Sequence, residues 1–292
     1  MKKRKSNLKG LENRELKSKI EKYSKLLKSV GLEPKKRLGQ TFLVDDGVVV
    51  DQITAANLDK NDIVLEIGPG LGILTNKLAE CARKVIAIEK DKKLYNYLKG
   101  EVPGNVELIH DDALALDFPE FDKLVSNIPY QISSPLIFKL LNYQFTLAII
   151  MVQLEFANRL GAIPNTKDYS RLTVMTSYHY NVDLLNVVSK ESFYPTPKVN
   201  SQIIRLIPKT LKRTAKNEQL FNTLIQVLFS ERRKMIKNSI LDQHFKFNIA
   251  KSELKEILSS LSNLDQRPEQ LSLEQLIEFA DELHLTLVRI LY

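Results

Sequence analysis

Short unbroken apolar runs recur through the middle of the chain: IVLEI at 63–67, KVIAI at 84–88, VELI at 106–109, KLV at 123–125 and LAIIMV at 147–152. Runs without polar alternation predict strands buried on both faces. Between them, 71–82 and 135–141 place apolar residues at helical spacing, and strand alternating with helix predicts an α/β fold with a mostly parallel, doubly wound sheet. VDLLNVVS at 182–189 and SQIIRLI at 201–207 predict two further strands, separated by the proline-bearing FYPTPKV. Beyond Pro208 only helical patterns remain, near 217–230, 231–243, 251–261 and 272–290, which predicts a small all-α C-terminal domain. Ahead of the sheet, Leu11, Leu16, Ile20, Tyr23, Leu27 and Val30 recur near the helical period until Glu33-Pro34 ends it. The expected organisation is an extension over 1–33, partly helical or disordered, an α/β domain over 34–208 and a helical domain over 209–292.

Charge adds one feature to this pattern. Of the net +8, residues 1–37 carry 14 Lys/Arg against 4 Asp/Glu, so the excess sits in the N-terminal extension. Such a segment suits a polyanion, and it suits a solvated tail as well. A second basic stretch, Arg232, Arg233, Lys234 and Lys237, with Lys212 and Arg213 ahead of it, gives a candidate RNA-binding face or a solvated helix face. The single cysteine, Cys81, suits a reducing compartment. Four scattered histidines show no zinc-ligand spacing. No apolar run approaches the roughly 20 residues that span a bilayer, and the N-terminus lacks the apolar core of a secretory signal. Glu12, Glu15 and Glu21 interrupt the basic face that a transit peptide would need. A cytoplasmic, metal-free protein is expected, and a monomer, because no long apolar stripe is left over.

Ligands of open α/β sheets sit at the carboxyl ends of the strands, and four consecutive ends here carry unusual residues. The first runs into Gly68-Pro69-Gly70-Leu71-Gly72. These glycines allow a tight turn and a close backbone approach to a ligand ahead of a helix N-terminus. Ile73 stands where a dinucleotide fingerprint would need its third glycine, and no Lys-Ser/Thr follows as in a phosphate loop; the spacing suits S-adenosylmethionine. The second end carries Glu89, placed to accept from ribose hydroxyls, and the third carries Asp111 and Asp112, placed to accept from an adenine amine.

The fourth end is Asn127-Ile128-Pro129-Tyr130. An aromatic amine is a poor nucleophile because its lone pair is delocalised into the ring. An Asn oxygen and a backbone carbonyl beside a proline can accept both amine hydrogens and aim the lone pair at a methyl group on sulfonium. Proline fixes that backbone, and the tyrosine offers a face on which the base stacks. Taken alone, the tetrapeptide is equally a proline-ended strand with a core tyrosine.

With those residues in place the sequence resembles the ribosomal RNA adenine dimethyltransferases, the KsgA family of dimethyladenosine transferases. LGQTFL (38–43), EIGPGLGILT (66–75), IEKD (88–91), DDAL (111–114), NIPYQISSPL (127–136), TKDYSRLTVM (166–175), FYPTPKVNS (193–201) and ERRKMIKNSI (231–240) carry the resemblance over about 34–291. It implies a Rossmann-like S-adenosylmethionine-dependent methyltransferase sheet with a helical C-terminal rRNA-binding domain. It also implies N6 dimethylation of two adjacent adenosines near the 3′ end of small-subunit rRNA, on a precursor particle during small-subunit biogenesis. By the same resemblance Thr41, Leu43, Gly68, Gly70, Glu89, Asp112 and Asn127 would meet the cofactor, Thr41 through its backbone. Asn127, Pro129, Tyr130 and Phe193 would surround the target adenine, with a hydrophobic plug as the other reading of Phe193. The bacterial pattern has Asn at the position of Thr41. The extension over 1–33 lies outside the usual pattern, and a grip on rRNA or on a ribosomal protein is our expectation for it. One rival, a large-subunit rRNA adenine methyltransferase of the macrolide-resistance class, shares the NIPY and FxPxPKV elements, and a rival of a different class is an assembly factor for which methylation is secondary.

Overall fold

The computed structural model describes residues 2–35, 39–209 and 214–291, and the side chains of all of these except 2–14 and 290–291. Leu38 of the LGQTFL motif, Lys212 and Arg213 lie outside the described residues. In chain order the elements of the first part are α1 (Lys2–Ser29), β1 (Phe42–Leu43), α2 (Asp46–Ala56), β2 (Ile63–Ile67), α3 (Ile73–Cys81), β3 (Lys84–Glu89), α4 (Lys92–Leu98), β4 (Val106–His110), β5 (Lys123–Asn127), α5 (Ser133–Leu140) and β6 (Leu147–Gln153). There follow α6 (Leu154–Leu160), α7 (Arg171–His179), β7 (Tyr180–Val188), β8 (Phe193–Tyr194), β9 (Ser201–Pro208), α8 (Glu218–Ser230), α9 (Ile236–Asp242), α10 (Lys251–Leu258) and α11 (Leu273–Leu291).

Seven strands form one sheet in the order β4-β3-β2-β5-β6-β9-β7. The pairs from β4 to β6 are parallel, and β9 lies antiparallel to β6. The predicted α/β class and mostly parallel sheet are therefore what forms. The unalternating runs are buried as their composition demands: Val64, Leu65, Val85, Ala87, Leu124, Val125 and Ile149 are sealed from solvent. Polar caps set where the helices begin. Asp45 accepts from the Gly47 N–H ahead of α2, and Asp91 accepts from the Lys93 N–H ahead of α4.

Strand succession runs outward one way through β2, β3 and β4 and the other way through β5 and β6, so the order reverses between β2 and β5. At such a switch point the crossing connections leave on opposite faces and open a crevice beyond the strand ends. The glycine loop after β2 and the Asn-Ile-Pro-Tyr segment after β5 flank that crevice. Strands β1 and β8 make a separate antiparallel pair, Phe42 opposite Tyr194 and Leu43 opposite Phe193.

The extension is not a separate domain. Helix α1 belongs to the same compact unit as the sheet, and Leu27 and Leu32 are buried with Phe42, Leu71 and Leu94. Ser24 and Tyr194 share a 3.0 Å hydroxyl–hydroxyl hydrogen bond, and Lys19 pairs with Asp46 at 3.0 Å. The opposite face leaves Lys17, Lys22, Lys25 and Lys28 exposed.

The chain divides into two units, 1–157 with 182–208 and 158–181 with 209–292. The single boundary expected at 208 thus differs from the observed division, because α7 counts with the C-terminal helices. Its buried Tyr178 stacks on Phe221 of α8 at 4.7 Å and accepts from the Ala215 N–H. The helix expected over 231–243 is shorter, starting at Ile236. Carbonyls of Gln266 and Leu264 take the N–H groups of Ile236 and Lys237, and Arg232 is drawn to the Tyr169 carbonyl at 2.7 Å. Tertiary partners override a locally helical sequence there. Among the described residues no helix is long and apolar enough to cross a membrane.

Candidate active site

The crevice holds a cavity of about 250 Å³ lined by the ends of β2, β3, β5 and the segment after β4, with β1 and Phe193 closing it. Thr41, Leu43, Gly68, Gly70, Glu89, Asp112, Asn127, Pro129, Tyr130 and Phe193 all line it. Every predicted cofactor and adenine residue therefore meets in one place.

The glycine loop is built from left-handed backbone: Gly68, Gly70 and Gly72 have φ of +72°, +61° and +81°. Such angles favour glycine, and space demands it too. A Cβ on Gly70 would sit 3.1 Å from Phe42, and one on Gly72 would sit 2.9 Å from Leu98. Gly68 faces Pro129 across the switch point, where a Cβ would lie 3.5 Å from the proline ring. The loop ahead of α3 and the Asn-Ile-Pro-Tyr segment are thus in mutual register.

The acids differ in charge state. Glu89 is buried and its pKa is pushed up to about 7 by desolvation, against the pull of backbone N–H donors at Asp91, Gly70 and Lys90. Glu66, also in the cavity wall, is pushed to about 8 by burial, with the neighbouring Thr75 hydroxyl opposing this and Glu89 adding to it. Its Oε2 has no partner among the described residues. Asp112 is held below the usual carboxylate range, chiefly by Lys90 Nζ at 2.6 Å, and its Oδ1 accepts from the Leu114 N–H. Asp91 lies outside the cavity lining, two residues beyond Glu89, in a neighbouring pocket with Lys35 and Gln40. Burial would raise its pKa, but Lys35 at 2.6 Å and Gln40 at 3.1 Å hold it low.

A close glycine approach, a buried carboxylate at the end of β3 and an acid after β4 fit the adenosine half of S-adenosylmethionine. The unpartnered Glu66 oxygen leaves an acceptor for a polar group of the same ligand.

Three partners escaped the sequence reading. Gln52 of α2, fully buried, donates from Nε2 to Asn127 Oδ1 at 2.8 Å. The Tyr130 hydroxyl shares a 2.6 Å hydrogen bond with buried Ser201 and another with Thr41. Burial raises the Tyr130 pKa, and these two bonds oppose that rise. The Thr41 side chain thus fixes Tyr130, a task beyond the backbone contact expected of it. Phe193 is 3% exposed and packs with Leu43 and Val49 in the core, so only part of its ring can face the cavity. A polar residue inside the apolar stretch of α2 was the available signal for Gln52; for Ser201 there was none.

The four basic residues of the helical unit are not equivalent. Arg232 is spent on Tyr169 and on Glu269 at 3.6 Å, and Lys234 on Glu231 and Asp242. Arg233 and Lys237 keep side chains with no ion pair among the described residues. No cluster of three or more His, Cys, Asp or Glu among the described residues is arranged to hold a metal ion.

Comparison with known proteins agrees with this geometry. The family model for ribosomal RNA adenine dimethylase matches residues 31–281. A curated relative, a probable ribosomal RNA small subunit methyltransferase A of Thermococcus sibiricus, is 42% identical over 263 residues, 87% of this chain and 94% of the relative. Among solved structures, a dimethyladenosine transferase from Plasmodium falciparum superposes with a TM-score of 0.71 at 33% identity, covering 85% of this chain and 98% of that one. The 23S rRNA methyltransferase ErmE gives 0.57 at 29% identity, covering 82% and 99%. With that match, and with the family's motif residues converging on one cavity, the chain belongs to the ribosomal RNA adenine dimethylase family and is an S-adenosylmethionine-dependent adenine dimethyltransferase of rRNA.

Proposed function

We propose that the enzyme acts on small-subunit rRNA, dimethylating N6 of two adjacent adenosines near its 3′ end on a precursor particle in the cytoplasm, and that it works as a monomer. The observation that carries the site assignment is the Asn127–Tyr130 segment on the switch-point crevice, packed through Pro129 against Gly68. S-adenosylmethionine, when bound, supplies an electrophilic methyl group. Gly68 and Gly70 admit it by backbone approach, ionised Glu89 accepts from its ribose and Asp112 from its adenine amine.

The protein's part in the chemistry is placement. Asn127 Oδ1 keeps a lone pair beyond the bond from Gln52, and it accepts one hydrogen of the target amine. The Ile128 carbonyl, which precedes Pro129 and whose direction the proline fixes, accepts the other. Tyr130, tethered by Ser201 and Thr41, provides the stacking face, worth roughly 1–3 kcal/mol. Phe193 forms the apolar wall behind the base. Methylated nitrogen is acidic, so its proton passes to solvent without a strong base.

For the RNA, Arg233 and Lys237 in the helical unit and the lysine face of α1 offer phosphate contacts, with Arg232 and Lys234 holding the local fold. The small subunit is favoured over the large by the names of the curated relatives and by the nearer fit to the dimethyladenosine transferase than to ErmE. The test is incubation with labelled S-adenosylmethionine and unmethylated small subunits, large subunits or DNA, then mapping of the labelled nucleotide. Label confined to two adjacent small-subunit adenosines is expected; label only in large subunits would overturn the choice. An Asn127→Ala variant that still binds subunits but transfers nothing separates catalysis from an assembly role.

A further inference from the structure

We infer that Gln52 is a positioning residue for methyl transfer, acting by locking the side-chain amide of Asn127. Helix α2 buries three side chains, Val49, Gln52 and Ala56, and only Gln52 is polar. It is 0% exposed and absent from the cavity lining, so it reaches Asn127 from behind the site. Its Nε2 donates to Asn127 Oδ1 at 2.8 Å, while its own Oε1 has no partner among the described residues.

A buried carboxamide with an orphan oxygen costs stability, and an apolar side chain of the same size would avoid that cost. The one return visible for it is the bond to Asn127. An asparagine amide presents two ends of nearly equal shape, one accepting and one donating. The amine of adenine offers only hydrogens, so an amide turned the wrong way meets it donor to donor. Donation from Gln52 fixes which atom is oxygen at the position nearest α2 and leaves the second lone pair of that oxygen for the substrate.

The helix that carries the donor is tethered near it. Ser192 Oγ donates to Asp45 at 2.9 Å at the start of α2, Asn186 donates to Asp51 at 2.9 Å one residue before Gln52, and Lys19 pairs with Asp46. Preorganisation of this kind needs no rearrangement at the moment of reaction.

The inference rests on the assignment of Asn127 to the target amine. The experiment compares wild type with Gln52→Met and Gln52→Leu, both close in volume and unable to donate. It measures kcat for transfer to an rRNA substrate that the wild type accepts, cofactor Kd by calorimetry, and Tm. The expected result is a kcat lower by roughly tenfold, a cofactor Kd within about twofold of wild type, and an equal or higher Tm because the orphan oxygen is gone. A merely structural role predicts that activity follows Tm. Unchanged kcat in both variants overturns the inference, and so does a rate loss that comes with a lowered Tm or a weakened cofactor Kd. An Asn127→Ala variant that transfers at the wild-type rate would sink the assignment of Asn127 itself. An inactive Asn127→Ala beside a fully active Gln52→Met removes only the role of Gln52.

Discussion

Replacing Glu66 by Gln isolates the cost of the buried acid beneath the glycine loop. In the folded protein its pKa is raised by burial from 4.5 to about 8. Between those values the unfolded chain has lost the proton and the folded protein keeps it. The folded state therefore binds more protons, and stability falls as pH rises through that window. It is level below 4.5 and level again above about 8. At 1.36 kcal/mol per pK unit, the penalty is about 3 kcal/mol at pH 7 and roughly 5 kcal/mol above pH 8. Glutamine keeps the shape without the ionisation, so Glu66→Gln gains close to that amount at high pH and nothing near pH 4.5. At about 2 °C per kcal/mol for a chain of this size, Tm at pH 8 rises by several degrees. The assay is thermal unfolding of wild type and variant, without cofactor, from pH 5 to pH 9. Parallel Tm curves, or a variant less stable than wild type at pH 8, would refute the assignment of a neutral buried acid.

On the proposed role, Glu89 accepts from both ribose hydroxyls most strongly when ionised, and burial pushes its pKa to about 7; cofactor affinity by calorimetry should rise, up to roughly tenfold, from pH 6 to pH 8, and Glu89→Gln should flatten the profile. Gly70→Ala places a methyl 3.1 Å from Phe42 on a backbone with φ +61°, costing about 1–2 kcal/mol in backbone strain; cofactor binding should weaken at least tenfold while the fold persists by circular dichroism. Neutralising Lys17, Lys22, Lys25 and Lys28 together should lower the slope of log affinity for small subunits against log salt by about 3, and an unchanged slope would remove α1 from the RNA surface.

The fold and the cavity were legible to different depths for a physical reason. β2, β3 and β6 announce themselves because a strand buried on both faces needs an unbroken apolar run, and that requirement is local. The left-handed glycines and the halt at Pro129 are local too, and together they pointed to the crevice. What stayed hidden depends on partners far along the chain. Gln52 meets Asn127 across 75 positions and Tyr130 meets Ser201 across 71, and neither spacing leaves a trace in periodicity. Arg232 and Lys234 read as a basic face because charge is visible in sequence, whereas the acids and the carbonyl that absorb them are gathered only by folding. The helix expected from residue 231 has nothing local to stop it; carbonyls from 264 and 266 do so.

The interleaving of the two units constrains how such a chain can be made or divided. It leaves the sheet unit after residue 157, builds α7, returns at 182 to lay down β7 and β9, and departs again after 208. During synthesis, α7 emerges long before α8, so Leu172, Val174, Met175 and Tyr178, all buried in the finished protein, must wait for their partners. A fragment ending at 208 would carry the whole sheet together with an unsheltered apolar helix and would be prone to aggregate. No single cut separates the two units, so any one-step loss of the C-terminal helices leaves the sheet encumbered by α7.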